Sequence, residues 1–235
     1  MFSLFVHGGC HGAWCWDQVV ADLAARGRSA HAFDLPGAGA DATPRTGLTL
    51  TDSVNAVVAQ LDQAPAGPLR LVAHSIGALP VAEAVVARPG RVNRIVLVAA
   101  VVPVAGERAI DTIPTQRRGG YYELAESSSD NTVMPDFAST RARFFNELPD
   151  DRARAAYDQL TPQPFDVYLQ PTQVCLGALG VPIRYLAPAD DRNFDADVTA
   201  RYAAAAGADV EVIAGDHCAM LSEPHALVEA LVTGA

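Results

Sequence analysis

The sequence predicts an α/β fold: a mostly parallel, doubly wound sheet of about six strands with an inserted helical cap. Three observations carry this. Short apolar runs rich in β-branched residues alternate with helical patterns along the chain, as a parallel sheet with right-handed crossovers requires. Most of those runs are nearly continuous rather than alternating in polarity, which suits strands covered on both faces. The rhythm breaks once, over residues 103–180, an interval far longer than a connecting loop needs.

The predicted strands are "SLFV" at 3–6, "SAHAFDL" at 29–35, "RLVAH" at 70–74, "RIVLVAAVV" at 94–102, "IRYLAP" at 183–188 and "DVEVIAG" at 209–215. Between them lie the helical patterns "AWCWDQVVADLAARG", "TLTDSVNAVVAQLDQA", "IGALPVAEAVVARPG", "DADVTARYAAAAG" and "EPHALVEALVTG", several of which stop at glycine or proline. Pro80 is an awkward guest in the third, since a proline inside a helix removes a backbone hydrogen bond. Residues 1–102 and 181–235 are thus expected to form the core, and 103–180 the cap. The cap interval shows no clear strand, but carries helix-like patterns at 136–149, 150–160 and 165–179.

With 235 residues, half of them hydrophobic, the chain can bury a substantial core in one domain. Its net charge of −10 argues against nucleic acid or an anionic membrane as partner, because both attract basic surfaces. No apolar stretch approaches the roughly 18 residues needed to span a bilayer, and the N-terminus lacks the pattern of a signal peptide. A soluble, cytoplasmic protein is expected. The four cysteines, Cys10, Cys15, Cys175 and Cys218, form no C-x-x-C pair and no zinc-like spacing with histidine, so they read as buried, reduced thiols. No metal and no cofactor is implied.

Ligands of open parallel sheets collect outside the carboxyl ends of the strands. Three residues of complementary chemistry fall there, in the chain order serine, acid, histidine. Ser75 follows the third predicted strand in "AHSIG", a variant of the strand-turn-helix elbow G-x-S-x-G, whose small residues permit a sharp turn that pushes the hydroxyl into the open. His217 follows the sixth strand in "AGDHCAM". A neutral imidazole there could take the serine proton and return it to a leaving group. The acid that would hold this imidazole lies in "YLAPADDRNF" after the fifth strand: Asp191, which lies deeper in the turn, with Asp190 as the alternative and Asp195 and Asp197 further out. Asp216 is adjacent to His217 and is expected to point elsewhere. "HGGCHGAW", from His7 to Trp14, ends the first strand, and its glycines let backbone N–H groups approach a ligand. The backbone N–H groups of Gly9 and of Ile76, the residue after the serine, are the expected oxyanion donors. His11, Trp14 and His74, with the cap aromatics Tyr121, Tyr122, Phe144, Phe145 and Phe165, are candidates to line a substrate pocket, with ordinary packing as the alternative for each.

Together "FVHGGCHGAWCW", the serine elbow, "DD" and "GDH" resemble the α/β-hydrolase superfamily, within it the branch holding plant methyl esterases and hydroxynitrile lyases. The resemblance runs in order through the whole chain, although the cap carries no matching motif. It implies Ser75 as nucleophile, His217 as base, Asp191 as acid, and Gly9 and Ile76 as oxyanion donors. The lyases it resembles carry threonine where this chain has Gly8, and lysine after the catalytic histidine where this chain has Cys218. Without that cation a departing cyanide has no electrostatic stabiliser, so the sequence favours a serine esterase of small to medium carboxylic esters, with methyl esters among the candidates. A hydroxynitrile lyase-like enzyme and a receptor-type protein that retains the triad are the alternatives. The partners implied are a small-molecule ester and, as one open possibility, a second copy of the chain in a homodimer.

Overall fold

Six parallel strands form one sheet in a computed structural model that describes residues 1–233. In chain order the strands are β1 (Phe2–Val6), β2 (Ala30–Phe33), β3 (Leu69–His74), β4 (Arg94–Val98), β5 (Thr132–Val133), β6 (Gln163–Pro164), β7 (Ile183–Pro188) and β8 (Val210–Ile213). The main sheet runs β2-β1-β3-β4-β7-β8, so the chain winds outward twice from the β1/β3 boundary. The short pair β5 and β6 forms a separate antiparallel ribbon.

Successive strand residues face opposite sides of a sheet, and here both sides are covered. Leu4, Val6, Leu71, Ala73, Ile95 and Leu97 pack against Val57 and Leu61 of helix Leu50–Gln63 and Val81 of helix Val81–Ala87. Phe5, Val72, Val96 and Leu186 pack against Val19 and Leu23 of helix Asp17–Ala25 and Leu227 and Leu231 of helix Pro224–Thr233. This two-sided burial is why the central strands read as continuous apolar runs. Each such aliphatic side chain contributes about 1.5–3 kcal/mol.

The helices begin and end on recognisable chemistry. In helix Leu50–Gln63 the buried Leu50, Val54, Val57 and Leu61 lie on one face, and Thr49 gives both its N–H and its hydroxyl to the Asp52 carboxylate at 2.8 Å. Helix Ala196–Ala206 starts where the Asp195 carboxylate accepts from the Val198 N–H at 2.9 Å. Gly207, in a left-handed conformation, ends it.

Four expectations need correction. The fourth strand stops at Val98 rather than at 102: Ala99 adopts φ 43°, turning 100–102 across the sheet end, where the Val101 N–H donates to the Ser75 carbonyl at 3.0 Å. The sixth predicted strand, now β8, is an edge strand with Val210 and Val212 exposed, so it is not covered on both faces. Pro80 breaks no helix. It stands ahead of helix Val81–Ala87, where its missing N–H costs nothing, and its carbonyl accepts from the Ala84 N–H.

The fourth concerns residues 103–180. Helices Phe137–Arg143 and Asp150–Tyr157 occupy two of the predicted positions, but 165–179 holds only the single turns Asp166–Leu169 and Leu176–Ala178. Helices Ala109–Thr112 and Thr115–Ser127 and the β5–β6 ribbon were not expected. Helix Thr115–Ser127 escapes a periodicity reading because only Ala125 of its thirteen residues is buried and Gly119–Gly120 interrupts it.

Candidate active site

The turn at Ser75 is set by backbone strain and by the absence of a side chain two residues on. Ser75 has φ 50°, a left-handed conformation that costs an ordinary residue about 1–3 kcal/mol. The turn runs directly into a 3₁₀ turn, Ser75–Ala78. Gly77 passes so close to the end of β1 that no β-carbon would fit against the His7 carbonyl. The elbow therefore needs only the second of the glycines in the G-x-S-x-G pattern. Ala73, at the first, sits fully buried inside β3.

The structure brings Ser75, His217 and Asp191 together from the ends of β3, β8 and β7. His217 Nε2 lies 3.3 Å from Ser75 Oγ, and His217 Nδ1 lies 2.9 Å from Asp191 Oδ2. The carboxylate is fixed in turn, because its Oδ1 accepts from the backbone N–H groups of Asn193 and Phe194 at 2.7 and 3.0 Å. Its side chain is 6% exposed and that of His217 is 2% exposed. Asp190 is exposed and does not reach the imidazole; its carbonyl accepts from Asn146 Nδ2 at 3.0 Å. Asp195 is the helix cap described above, and Asp197 lies within the first turn of that helix.

Asp216 does point elsewhere. It is fully buried, and its carboxylate accepts from the N–H groups of Cys218 and Glu147 and from the Ser222 hydroxyl. Burial raises its pKa, and these donors hold the loop that carries His217. Glu147 and Asn146 thus tie the 103–180 segment to the loops that carry His217 and Asp191.

Around the His217 ring stand Phe144, Phe194 and His74, with ring centroids at 5.2, 5.0 and 5.0 Å. His74 donates through Nε2 to the His217 carbonyl at 3.0 Å, which leaves its buried Nδ1 without a protein partner among the described residues. Gly8 is pressed against the same ring: a β-carbon at Gly8 would lie 2.6 Å from His74 Nδ1 and 2.9 Å from Ser75 Cβ. His11 donates through Nδ1 to the Gly9 carbonyl at 2.8 Å, and its Nε2 receives the Cys218 thiol at 3.5 Å. Burial pushes the His11 imidazole down to about 4 and the Cys218 thiol well up, so this pair is neutral. Cys218 is an internal thiol and presents no cation to the cavity.

Ser75, His217, Gly9, Ile76, His11 and His74 all border one cavity beneath residues 109–168. Its wall is mostly apolar, with Ile113, Val133, Phe144, Leu160, Phe194 and Val198. Of the expected aromatics, Tyr121 and Phe144 line it; Phe145 and Phe165 are buried outside its wall and Tyr122 is exposed. Trp14 stacks on His11 at 5.6 Å between ring centroids and lies outside the lining, so it supports the pocket rather than forming it. Tyr168, Tyr202, Phe194 and Arg117 line the cavity without a sequence signal of their own. Arg117 donates through Nη1 to both the carbonyl and the side chain of Asn193, whose N–H binds Asp191.

Among the described residues, no group of three or more His, Cys, Asp or Glu could hold a metal ion, and no helix is long and apolar enough to cross a membrane. A family profile described as "Alpha/beta hydrolase family" matches residues 4–230. Esterase PIR7B of Oryza sativa subsp. japonica is 31% identical over 97% of this chain and 93% of its own length. Putative methylesterase 14, chloroplastic, of Arabidopsis thaliana is 24% identical over 97% of this chain and 70% of its own. An extracellular alpha/beta-hydrolase from a Paenibacillus species superposes with a TM-score of 0.91 at 23% identity, over 99% of this chain and 98% of that one.

Proposed function

Because the chain belongs to the alpha/beta hydrolase family, we propose that it hydrolyses small to medium carboxylic esters, methyl esters among them, through an acyl-enzyme on Ser75. The observation that carries this is the unbroken contact from Ser75 Oγ through His217 to Asp191, with Ser75 and His217 both bordering an apolar cavity. The relatives named esterase and methylesterase support the same chemistry.

His217 Nε2 takes the hydroxyl proton as Oγ attacks the ester carbonyl, and the backbone N–H groups of Gly9 and Ile76 receive the developing oxyanion. The tetrahedral adduct collapses as the carbon–alkoxy bond breaks, and the imidazolium gives its proton to the departing alcohol. Water then attacks the acyl carbon with His217 again as base, releasing the acid and restoring Ser75. Asp191 holds Nδ1–H toward itself, so that Nε2 stays free to accept, and stabilises the charged ring.

Residues 103–180 act as a cap that excludes water and sets the size of acyl and alcohol groups. Gly8 and the internal Cys218 support ester hydrolysis over hydroxynitrile cleavage, since neither a hydroxyl nor a cation stands where that chemistry needs one. The acidic composition and four free cysteines support a reducing, cytoplasmic setting.

Labelling with a fluorophosphonate followed by peptide mapping tests the assignment. Modification of Ser75, lost in Ser75→Ala together with hydrolysis of p-nitrophenyl acetate, is the expected result. Label on another residue, or turnover that survives Ser75→Ala, would overturn it.

A further inference from the structure

Three phenols line the cavity, and their hydrogen bonding separates them. Thr112 Oγ1 donates to the Ala109 carbonyl at 2.7 Å, so the Tyr202 hydroxyl, 2.7 Å from the same oxygen, is the donor of that pair and is satisfied. Tyr121 and Tyr168 have no hydrogen-bond partner for their hydroxyls among the described residues. Tyr121 is only half-buried. Tyr168 is 6% exposed, and it borders the cavity. Its hydroxyl is thus open to an acceptor that a ligand brings into the cavity.

The position of Tyr168 says where that acceptor would lie. A β-carbon built on Gly9 would sit 3.1 Å from the Tyr168 hydroxyl and 3.0 Å from the Ile76 side chain. The phenol therefore stands beside both residues whose N–H groups are assigned to the oxyanion. Its ring is held by Phe165 and Tyr121, with centroids at 6.0 and 5.4 Å, and by the Tyr168 N–H, which donates to the Phe165 carbonyl at 2.9 Å. Burial raises its pKa well above that of a free phenol, so it keeps its proton.

We propose that Tyr168 is a catalytic residue, its hydroxyl donating a hydrogen bond to the ester carbonyl oxygen as that oxygen becomes an oxyanion, alongside Gly9 and Ile76. This rests on the ester-hydrolase reading above. It gives the 103–180 segment a chemical role beyond shaping the pocket, because the third donor comes from there and the other two from the core.

The test measures kcat and KM for p-nitrophenyl acetate in wild type, Ser75→Ala, Tyr168→Phe and Tyr122→Phe, with inhibition by a trifluoromethyl ketone, which forms a tetrahedral adduct on a serine. Tyr168→Phe is expected to lower kcat by about 10- to 100-fold, below the effect of losing a whole backbone-type donor, with KM within about twofold. Its inhibition constant for the ketone should rise by the factor lost in kcat/KM, since both report the same oxyanion. Tyr122→Phe, exposed and outside the cavity, should match wild type. Full kcat in Tyr168→Phe, or a rise in KM alone, overturns the proposal while a dead Ser75→Ala leaves the ester-hydrolase reading standing. Turnover that survives Ser75→Ala takes both down. Should Tyr168→Phe not fold, a crystal of the wild-type ketone adduct decides: the hydroxyl within about 3 Å of the oxyanion supports the assignment, and a hydroxyl beyond hydrogen-bond reach overturns it.

Discussion

A β-carbon on Gly77 would overlap the carbonyl oxygen of His7, so the turn after Ser75 approaches the end of β1 as closely as backbone allows. Gly77→Ala must push the elbow away from the sheet. We expect a loss of stability of about 1–3 kcal/mol and, because the serine moves with the elbow, a fall in kcat/KM of about 100-fold. Urea unfolding and ester hydrolysis on the same preparation check both.

The two neighbouring aspartates should behave oppositely. Asp191→Asn replaces an acceptor facing His217 Nδ1 with a group that favours the wrong tautomer, and kcat should drop by about 10³- to 10⁴-fold. Asp190→Asn should retain wild-type kcat, since only its backbone is engaged, its N–H by the Gly215 carbonyl and its carbonyl by Asn146. Equal losses in both would show that the turn rather than the carboxylate matters.

Gly8→Thr places a residue of the lyase pattern where the His74 ring and Ser75 already leave no room. The variant should lose ester hydrolysis without gaining cleavage of mandelonitrile, because Cys218 still supplies no cation. Any mandelonitrile cleavage above background would contradict this.

Acid should unfold this protein through its buried imidazoles. His7, His11 and His74 are buried, and burial lowers the pKa of each, for His11 from 6.5 to about 4. The unfolded chain therefore binds more protons than the folded one between these values. Stability is fully present above pH 6.5 and falls as the pH drops toward 4, by about 3 kcal/mol from His11 alone at 1.36 kcal/mol per unit. Unfolding midpoints at pH 7.5, 6, 5 and 4 measure the slope. His11→Gln should flatten it while lowering the midpoint at pH 7.5.

The site was legible where the chemistry is local or ordered by the sheet. "AHSIG" carries the elbow in a few residues, and parallel topology sends the ends of β3, β7 and β8 to one edge, so Ser75, Asp191 and His217 could be named without coordinates. The choice of Asp191 over Asp190 was less direct, since adjacent residues in a turn differ in direction by backbone detail that composition does not encode. The cavity wall was mostly illegible. Tyr168 and Arg117 sit on short or weakly amphipathic helices, and Trp14, which the motif suggested for the pocket, stacks behind His11 instead.

The sequence by itself determined the alternating strands and helices, the parallel sheet and the order of the serine, acid and histidine, because apolar periodicity and glycine placement act within a few residues. Tertiary structure alone decided that β4 ends at Val98 so that Val101 can bind the Ser75 carbonyl, that Cys218 turns inward to His11, and which cap side chains face the cavity. Those outcomes depend on contacts between residues far apart in the chain, and no local pattern records which of several compatible neighbours a side chain will meet.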